Sequence, residues 1–234
     1  MTRRAPIRVA SDGPSFRDRL DAGACLAECL AAYAGTGALV LAIPRGGVPV
    51  GAEVARRLGA DLDVVVARKL GAPISPELAI GAVTANGGWF LNDEIIRSLD
   101  VSPAYLAAVT AKEMAEARRR EERFRGPHAR SEVAGRIVIV VDDGLATGAT
   151  MRAAARSVRS RHPHRLVGTV PVGSREACTA LEEEVDEVVC PYRPEPFFAV
   201  GVYYERFEPT EDAEVQRILQ DAFAARGQRR AQAN

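Results

Sequence analysis

The stretch that decides the fold reads IVIVVDDGLATGAT and covers residues 137–150. It begins with five successive apolar residues, mostly β-branched, which predict a strand buried on both faces of a parallel sheet. Two adjacent carboxylates, Asp142 and Asp143, follow at the end of this strand. Small residues, two threonines and a helical pattern from about residue 149 come next. The stretch therefore predicts a strand, a turn and a helix whose N-terminus opens into the turn.

The predicted turn has the composition of an anion-binding loop. A helix that begins there offers free backbone N–H groups and the positive end of its dipole, and small residues let that backbone approach a ligand. Because carboxylates repel a phosphate, the two acids are expected to accept hydrogen bonds from sugar hydroxyls or to bind Mg²⁺. A ribose 5-phosphate satisfies both requirements. The residues expected to hold its phosphate are Gly144, Ala146, Thr147, Gly148, Ala149 and Thr150.

The same residues carry a resemblance to a known family. The segment VVDDGLATGAT, residues 140–150, closely resembles the 5-phosphoribosyl-1-pyrophosphate (PRPP) motif of type I phosphoribosyltransferases. The resemblance covers about residues 15–190, and the ends are similar to those of a bacterial subgroup of phosphoribosyltransferase-domain proteins. It implies transfer of the 5-phosphoribosyl group to a nitrogenous base or similar acceptor with release of pyrophosphate. It also implies Mg²⁺ as cofactor, with Asp142 and Asp143 as metal-binding and catalytic residues.

A second candidate loop, PRGG at residues 44–47, lies between a predicted strand and a predicted helix. Arg45 beside Gly46 and Gly47 makes a compact pyrophosphate clamp, because the glycines let the backbone approach a ligand. An ordinary glycine turn is the alternative, and the presence of the acid pair favours the clamp. The loop resembles the pyrophosphate loop of type I phosphoribosyltransferases, in which the basic residue and a glycine often share a non-proline cis peptide bond.

Arg68 and Lys69 close the second predicted strand. They resemble the Arg-Lys pair that opens the flexible catalytic loop of adenine and orotate phosphoribosyltransferases. The resemblance implies that both bind the leaving pyrophosphate, and residues 70–78 are expected to form a lid that excludes water. Glu77 is a candidate for stabilising positive charge on the sugar, and a solvated loop acid is an equal alternative.

The acceptor is expected to bind under a hood, for which residues 89–126 and 191–210 are the candidate segments. Phe197 and Phe198 are candidates for stacking on a heterocycle, and Tyr203 or Tyr204 for a hydrogen bond to its edge. The alternative is that these aromatic residues anchor an irregular C-terminal segment to the core.

One position bears on the acceptor. Hypoxanthine-type family members carry an aspartate at the position of Ala146, where it handles a proton of the purine ring. Alanine cannot do this, and the sequence is more similar to the adenine-type motif there. That similarity does not establish adenine as the acceptor.

The whole chain, residues 1–234, predicts a single α/β domain. Strands alternate with helices, which predicts a doubly wound, mainly parallel sheet flanked by helices, with the hood as a small insert. The loops at 44–47, 68–77 and 142–150 are then expected to meet at the carboxyl ends of the strands. Residues 1–14 predict an irregular start, and a polar tail follows Arg226.

Composition narrows the functional classes. Lys+Arg and Asp+Glu are both 31, and this zero net charge argues against a nucleic-acid-binding protein. No apolar run reaches transmembrane length and no signal peptide is evident, so a cytoplasmic protein with no membrane partner is expected.

The four cysteines form no CxxC pair and predict reduced core thiols. The resemblance implies PRPP and a small-molecule acceptor as partners, and it is compatible with a homodimer.

Two other functional classes stay open. A regulatory protein that senses PRPP would keep the fold without catalysis; the neutral charge and the lack of a helix-turn-helix segment count against it. A phosphorolytic or hydrolytic nucleotide-salvage enzyme would use the same site with another attacking group. The sequence does not separate this enzyme from a transferase.

Overall fold

The computed structural model describes residues 16–232 as a five-stranded sheet flanked by helices, with a three-stranded sheet beside it. Residues 1–14, predicted to start irregularly, lie outside the described residues. The strands are β1 (Leu39–Ala42), β2 (Asp61–Val64), β3 (Ala67–Gly71), β4 (Ala79–Thr84), β5 (Trp89–Leu91), β6 (Ile137–Val141), β7 (Arg165–Thr169) and β8 (Glu187–Val189). The α-helices are α1 (Arg19–Cys29), α2 (Gly47–Leu58), α3 (Asp93–Ser98), α4 (Pro103–Arg125), α5 (Ala149–Arg159), α6 (Arg175–Leu181) and α7 (Asp212–Gln232).

The five-stranded sheet is parallel throughout, in the order β2-β1-β6-β7-β8. The predicted doubly wound α/β fold with an additional small sheet is confirmed. Strand order reverses between β1 and β6, where Ala42 lies opposite Val141. Ligands of open α/β sheets bind at such a switch point, outside the carboxyl ends of the strands. The loops after β1 and β6 both begin there.

Apolar side chains cover both faces of this sheet. Successive strand residues point to opposite faces, so Val138 and Val140 join one cluster while Ile139 and Val141 join the other. All four side chains are fully buried. Helices α5 and α6 complete the first cluster, and α2 and α7 complete the second. The run of β-branched residues thus forms the central strand that its composition predicts.

The second sheet is antiparallel, in the order β3-β4-β5, and precedes α3 and α4. Its hairpin turn at residues 85–88 lies where the glycines predict it. Arg68 and Lys69 were expected to open a loop, but they lie in β3, opposite Val83 and Ala82 of β4. This part of the prediction is wrong, because pairing with a later strand extends β3 to Gly71.

The predicted lid, residues 70–78, is consequently shorter than expected. Leu70 and Ala72 are buried, and the Ala72 N–H donates a hydrogen bond to the Leu78 carbonyl oxygen at 2.9 Å. The tip between these anchors is exposed, with Ile74 at 78%. Only this tip is free to act as a lid.

Helix α7 was not predicted, and the polar residues that follow Arg226 continue it to Gln232. It buries Val215, Leu219 and Phe223, which recur every four residues and contact the core cluster of α2 and β2. This spacing is visible in the sequence and predicts an amphipathic helix. Within residues 16–232, no helix is both long and apolar enough to cross a membrane.

A buried ion network joins β2 to the end of α4. Arg125 donates from Nε to Asp63 Oδ1 at 3.1 Å and from Nη1 to Glu121 Oε1 at 3.0 Å. The other carboxylate oxygen of Asp63 accepts from the Ser131 N–H at 2.9 Å. Asp63, Glu121 and Arg125 are at most 6% exposed. Because buried charges are costly unless paired, these contacts fix the exit of the insert against the central sheet.

Candidate functional site

The loops after β1 and β6 lie side by side at the switch point. A Cβ atom at Gly46 would lie 1.9 Å from Asp143 Oδ2, and one at Gly47 would lie 2.8 Å from the Val141 carbonyl oxygen at the end of β6. Real Cβ atoms do not approach other atoms so closely, so both positions need glycine for the loops to meet. The two motifs that the sequence singled out are therefore brought together.

The loop after β6 leads into an uncapped helix. Gly148 has φ 77°, a conformation that favours glycine, and α5 begins at Ala149 with no side chain hydrogen-bonded to its first turn. Ala146 and Thr147 are exposed, and Thr150 is half-buried. Within residues 16–232, neither threonine hydroxyl has a hydrogen-bond partner. The N–H groups of this turn and both hydroxyls are thus available to an anion.

Neighbouring segments hold this loop in place. Ser174 donates from its backbone N–H to the Leu145 carbonyl oxygen at 2.8 Å and from Oγ to the Ala146 carbonyl oxygen at 2.9 Å. A Cβ atom at Gly144 would lie 2.4 Å from Val200 Cγ1, so the C-terminal segment packs directly on the loop. Preorganisation of this kind reduces the entropy lost when a ligand binds.

We expect Thr147→Val to weaken binding of PRPP and of ribose 5-phosphate alike. Valine keeps the shape and removes a hydroxyl donor to an anion, which costs about 1.5–3 kcal/mol, or roughly 10- to 150-fold in Kd. Isothermal titration calorimetry with both ligands measures this. Thr36→Val, near the amino end of β1, is the matched control. Unchanged affinity for both ligands would place the phosphate elsewhere.

The two carboxylates differ in their contacts. Asp143 Oδ2 accepts a hydrogen bond from Arg19 Nε at 2.9 Å, and its N–H donates to Asp142 Oδ1 at 2.9 Å. The Tyr204 hydroxyl donates to the Asp143 carbonyl oxygen at 2.6 Å. Sequence reasoning missed Arg19, and it considered Tyr204 for the acceptor rather than for this contact, because no local pattern connects either residue to the acid pair.

Burial has the largest effect on the pKa values of Asp142 and Asp143. It raises the pKa of Asp142 well above its ordinary value, and the neighbouring charge of Asp143 raises it further. Burial also raises the pKa of Asp143, against the opposing charge of Arg19. Burial raises the pKa of the Tyr204 phenol too, so its hydroxyl stays a hydrogen-bond donor at neutral pH.

Arg45 lies at the N-terminal end of α7. Its Nη1 is 3.6 Å from Asp212 Oδ1, and the other oxygen of Asp212 is 3.0 Å from Arg123 Nη1 of α4. The resemblance suggested a cis bond between the basic residue and glycine, but the cis peptide bond here joins Pro44 to Arg45. The Arg45 side chain is 41% exposed, so a diphosphate can reach it.

Arg68, Lys69 and Glu77 belong to β3 and to the turn that follows it. Arg68 forms an ion pair with Glu113 of α4, with 2.9 Å between Nη2 and Oε2. Lys69 and Glu77 are exposed. In the described part of the chain, no hydrogen bond or ion pair joins any of the three to the loops after β1 and β6. Their assignment to the pyrophosphate and the sugar stays a prediction.

The aromatic candidates divide into buried and exposed rings. Tyr203 is 7% exposed, its ring centroid is 5.4 Å from that of Phe197, and its hydroxyl donates to the Pro196 carbonyl oxygen at 3.4 Å. These contacts fit the alternative in which Phe197 and Tyr203 anchor the C-terminal segment. Phe198 is 76% exposed and is the ring available for stacking.

The acid pair supplies hard oxygen donors of the kind that Mg²⁺ prefers. Among residues 16–232, no group of three or more His, Cys, Asp or Glu side chains could hold a metal ion. A Mg²⁺ ion at Asp142 and Asp143 would therefore take its remaining ligands from a bound substrate and from water. With those additional ligands, Asp142 and Asp143 are suited to hold Mg²⁺.

Comparison with known proteins identifies relatives over most of the chain. Two Mycobacterium tuberculosis proteins, named "Putative phosphoribosyl transferase MT0597" (strain CDC 1551 / Oshkosh) and "Putative phosphoribosyl transferase Rv0571c" (strain ATCC 25618 / H37Rv), are each 46% identical over 207 residues. The match covers 88% of this chain and 47% of each relative. The chain thus spans about half the length of the curated relatives it matches.

The fold has a counterpart among solved structures. The crystal structure of the protein TT1426 from Thermus thermophilus is 45% identical, with a TM-score of 0.75. The match covers 88% of this chain and 98% of that one. The model of the phosphoribosyl transferase domain matches residues 19–205, which include both loops of the site. The chain therefore belongs to the phosphoribosyl transferase domain family, as its central motif predicts.

Proposed function

We propose that the chain transfers a 5-phosphoribosyl group from PRPP to a nitrogenous base or similar small acceptor, with release of pyrophosphate. The observation that carries this proposal is the meeting of three features at one switch point. An uncapped helix N-terminus, a pair of acids and an arginine-glycine loop lie together at the carboxyl ends of β1 and β6. These features match a ligand that has a phosphate, vicinal hydroxyls and a diphosphate.

Each part of PRPP has an assigned partner in this proposal. The 5-phosphate binds the residue 144–150 loop and the first turn of α5. The ribose hydroxyls meet the acid pair, and the diphosphate lies along residues 44–47, where Arg45 is exposed. Bound Mg²⁺ would neutralise charge that builds up on the departing pyrophosphate.

The chain's own contribution to catalysis is electrostatic and positional. Displacement at C1 of the ribose passes through a transition state with oxocarbenium character, in which positive charge develops on the sugar. Carboxylates fixed beneath the ring stabilise that charge, and Arg45 stabilises the opposite charge on the leaving group. The exposed tip of residues 73–77 is the candidate for excluding water, which would otherwise attack the sugar.

A mass-spectrometric screen tests the proposal. PRPP is incubated with the protein and pooled nucleobases, with and without Mg²⁺, and pyrophosphate release and new nucleoside monophosphates are measured. We expect one base to be consumed together with PRPP in a Mg²⁺-dependent reaction. PRPP binding in calorimetry without product from any base would favour the sensor. Failure of PRPP to bind would contradict the proposal altogether.

Inorganic phosphate and water test the phosphorolytic and hydrolytic alternatives in the same assay. Those enzymes would release free base from a nucleotide. Each nucleotide formed in the screen is therefore incubated with the protein and with phosphate as the only co-substrate. Faster release with phosphate than with pyrophosphate would favour a phosphorylase, because pyrophosphate is the reverse substrate of a transferase.

A further inference from the structure

Asp143 is enclosed by its neighbours. Its Oδ2 accepts from Arg19 Nε at 2.9 Å, its carbonyl oxygen accepts from the Tyr204 hydroxyl at 2.6 Å, and Gly46 passes directly beside its carboxylate. The side chains of Arg19 and Asp143 are only 12% and 16% exposed. One of the two central acids is thus already paired with an internal cation.

Arg19 is itself held firmly. Its Nη1 donates to the Glu208 carbonyl oxygen at 2.8 Å, and its guanidinium carbon lies 4.0 Å from the centroid of the Phe207 ring. A hydrogen bond and a cation–π contact, in addition to the ion pair, restrict the guanidinium to one position. Phe207 and Glu208 lie beyond residue 205, where the match to the family model ends.

Asp142 has different surroundings. Its Oδ1 accepts a hydrogen bond from the Asp143 N–H, and its carboxylate also interacts with that of Asp143. Within residues 16–232 no Lys, Arg or His nitrogen forms an ion pair with it at 4.0 Å or less. It adjoins the start of α2, where a Cβ atom at Gly47 would lie 3.1 Å from Oδ1. Arg19 thus acts on both acids, but it forms its direct ion pair with Asp143 and reaches Asp142 only through the longer-range attraction of its charge.

We propose that Arg19 divides the acid pair by serving as an internal counter-ion for Asp143, so that Asp142 is the acid that meets the ligand and its metal ion. Arg19 is then a positioning residue that acts through Asp143. Pairing one acid lowers the repulsion between the site and a phosphate-rich ligand, while one carboxylate stays free for hydroxyls or a cation. The identity of the ligand rests on the proposed function, but the division of charge does not.

The affinity for Mn²⁺ alone, measured by electron paramagnetic resonance, tests without substrate whether Arg19 is the counter-ion of Asp143 only. Arg19→Gln releases the Asp143 carboxylate, and a site with two free acids should bind Mn²⁺ about tenfold more tightly than wild type. Arg19→Gln combined with Asp143→Asn removes both charges, and its Mn²⁺ affinity should return to within about threefold of wild type. Asp142→Asn should abolish binding at this site.

Two further variants separate the charge effect from damage to the fold. Arg17→Gln breaks an exposed ion pair with Asp21, two residues from Arg19, and should not change Mn²⁺ binding. Arg19→Lys keeps the charge but loses the planar guanidinium, so its Mn²⁺ affinity should fall between those of wild type and Arg19→Gln, a partial rescue that simple loss of packing would not produce. Circular dichroism and thermal unfolding establish that each variant is folded.

Two results would overturn the proposal. Arg19→Gln could fold and bind Mn²⁺ no more tightly than wild type, or the charge-neutral double variant could lose about tenfold or more, which would make Asp143 a metal ligand. Calorimetry with PRPP is a separate measurement: Arg19→Gln should weaken PRPP binding, and the double variant should restore it. If PRPP does not bind wild type at all, the proposed function fails while the Mn²⁺ results still decide the role of Arg19.

Discussion

Replacing both Asp142 and Asp143 with asparagine is expected to abolish turnover of PRPP while the protein stays folded. The amides keep the shape of the carboxylates and one acceptor oxygen each, but they remove the charge that stabilises a cationic sugar. Removing a preorganised electrostatic group of this kind costs about 10²–10³-fold in kcat. PRPP binding should also become less dependent on Mg²⁺, because the proposed protein ligands of the metal are gone.

Stability should change little in this variant. Burial raises the pKa of Asp142 in the folded protein. Above the ordinary aspartate pKa, the unfolded chain therefore loses this proton more readily than the folded protein does, which destabilises the folded state. Asparagine removes that cost. Loss of the charge pair between Arg19 and Asp143 acts in the opposite direction. The melting temperature is therefore expected to stay close to that of wild type.

A matched control removes two exposed negative charges instead. Asp221→Asn combined with Glu183→Gln changes the net charge equally, and both side chains are more than 70% exposed. Steady-state kinetics at saturating PRPP and a Mg²⁺ titration compare the two variants. Turnover near the wild-type rate in the Asp142 and Asp143 variant would refute the assigned role of the acid pair.

Gly46→Ala is expected to inactivate the protein by displacing Asp143. The new Cβ atom would lie 1.9 Å from Asp143 Oδ2 and 3.1 Å from Arg19 Nε, so the carboxylate and its partner must move. The backbone at this position, with φ −61° and ψ −32°, is accessible to alanine, so the effect comes from space alone. A shift of about 1 Å in a positioned group can cost about 10²-fold in rate, and we expect at least that loss in kcat/KM.

Gly227→Ala in α7 provides the matched control, because a Cβ atom there would meet nothing within 4 Å. Alanine should raise helix stability by up to about 1 kcal/mol and leave kinetics unchanged. Kinetics and thermal unfolding of both variants test the difference. A fully active Gly46→Ala variant would mean that the acid pair tolerates displacement, against the geometry described for the site.

The central sheet and the meeting of the two loops could be predicted because each signal is local. A β-branched run before Asp142 indicates a buried strand, and parallel strands bring the loop after each carboxyl end to one edge. Gly46 and Gly47 were likewise recognisable from composition beside Arg45. Comparison with relatives confirms the family that these residues predicted.

Residues that support the site from a distance had no such signal. Arg19 reaches Asp143 from 124 positions away, and Tyr204 reaches it from 61 positions away. Arg19 begins α1, which packs on α2, and Tyr204 lies in the C-terminal segment, so tertiary packing of two distant parts of the chain brings them there. For Arg68 the sequence did give a signal, its resemblance to a catalytic pair. That signal did not predict strand β3 or the ion pair with Glu113. Helix α7 was detectable from its four-residue spacing and was overlooked among polar residues.

The ion network around Arg125 has a consequence for how the insert can vary. Asp63 lies in β2, before the three-stranded sheet begins, and Arg125 and Ser131 lie at the end of α4 and just after it, so the network joins the two ends of the segment between them. Once the ends of a loop are held together, each doubling of its length costs only about 0.6 kcal/mol in closure entropy. In relatives that keep Asp63 and Arg125 as a pair, a change in the length of this segment is therefore expected to cost little free energy of folding.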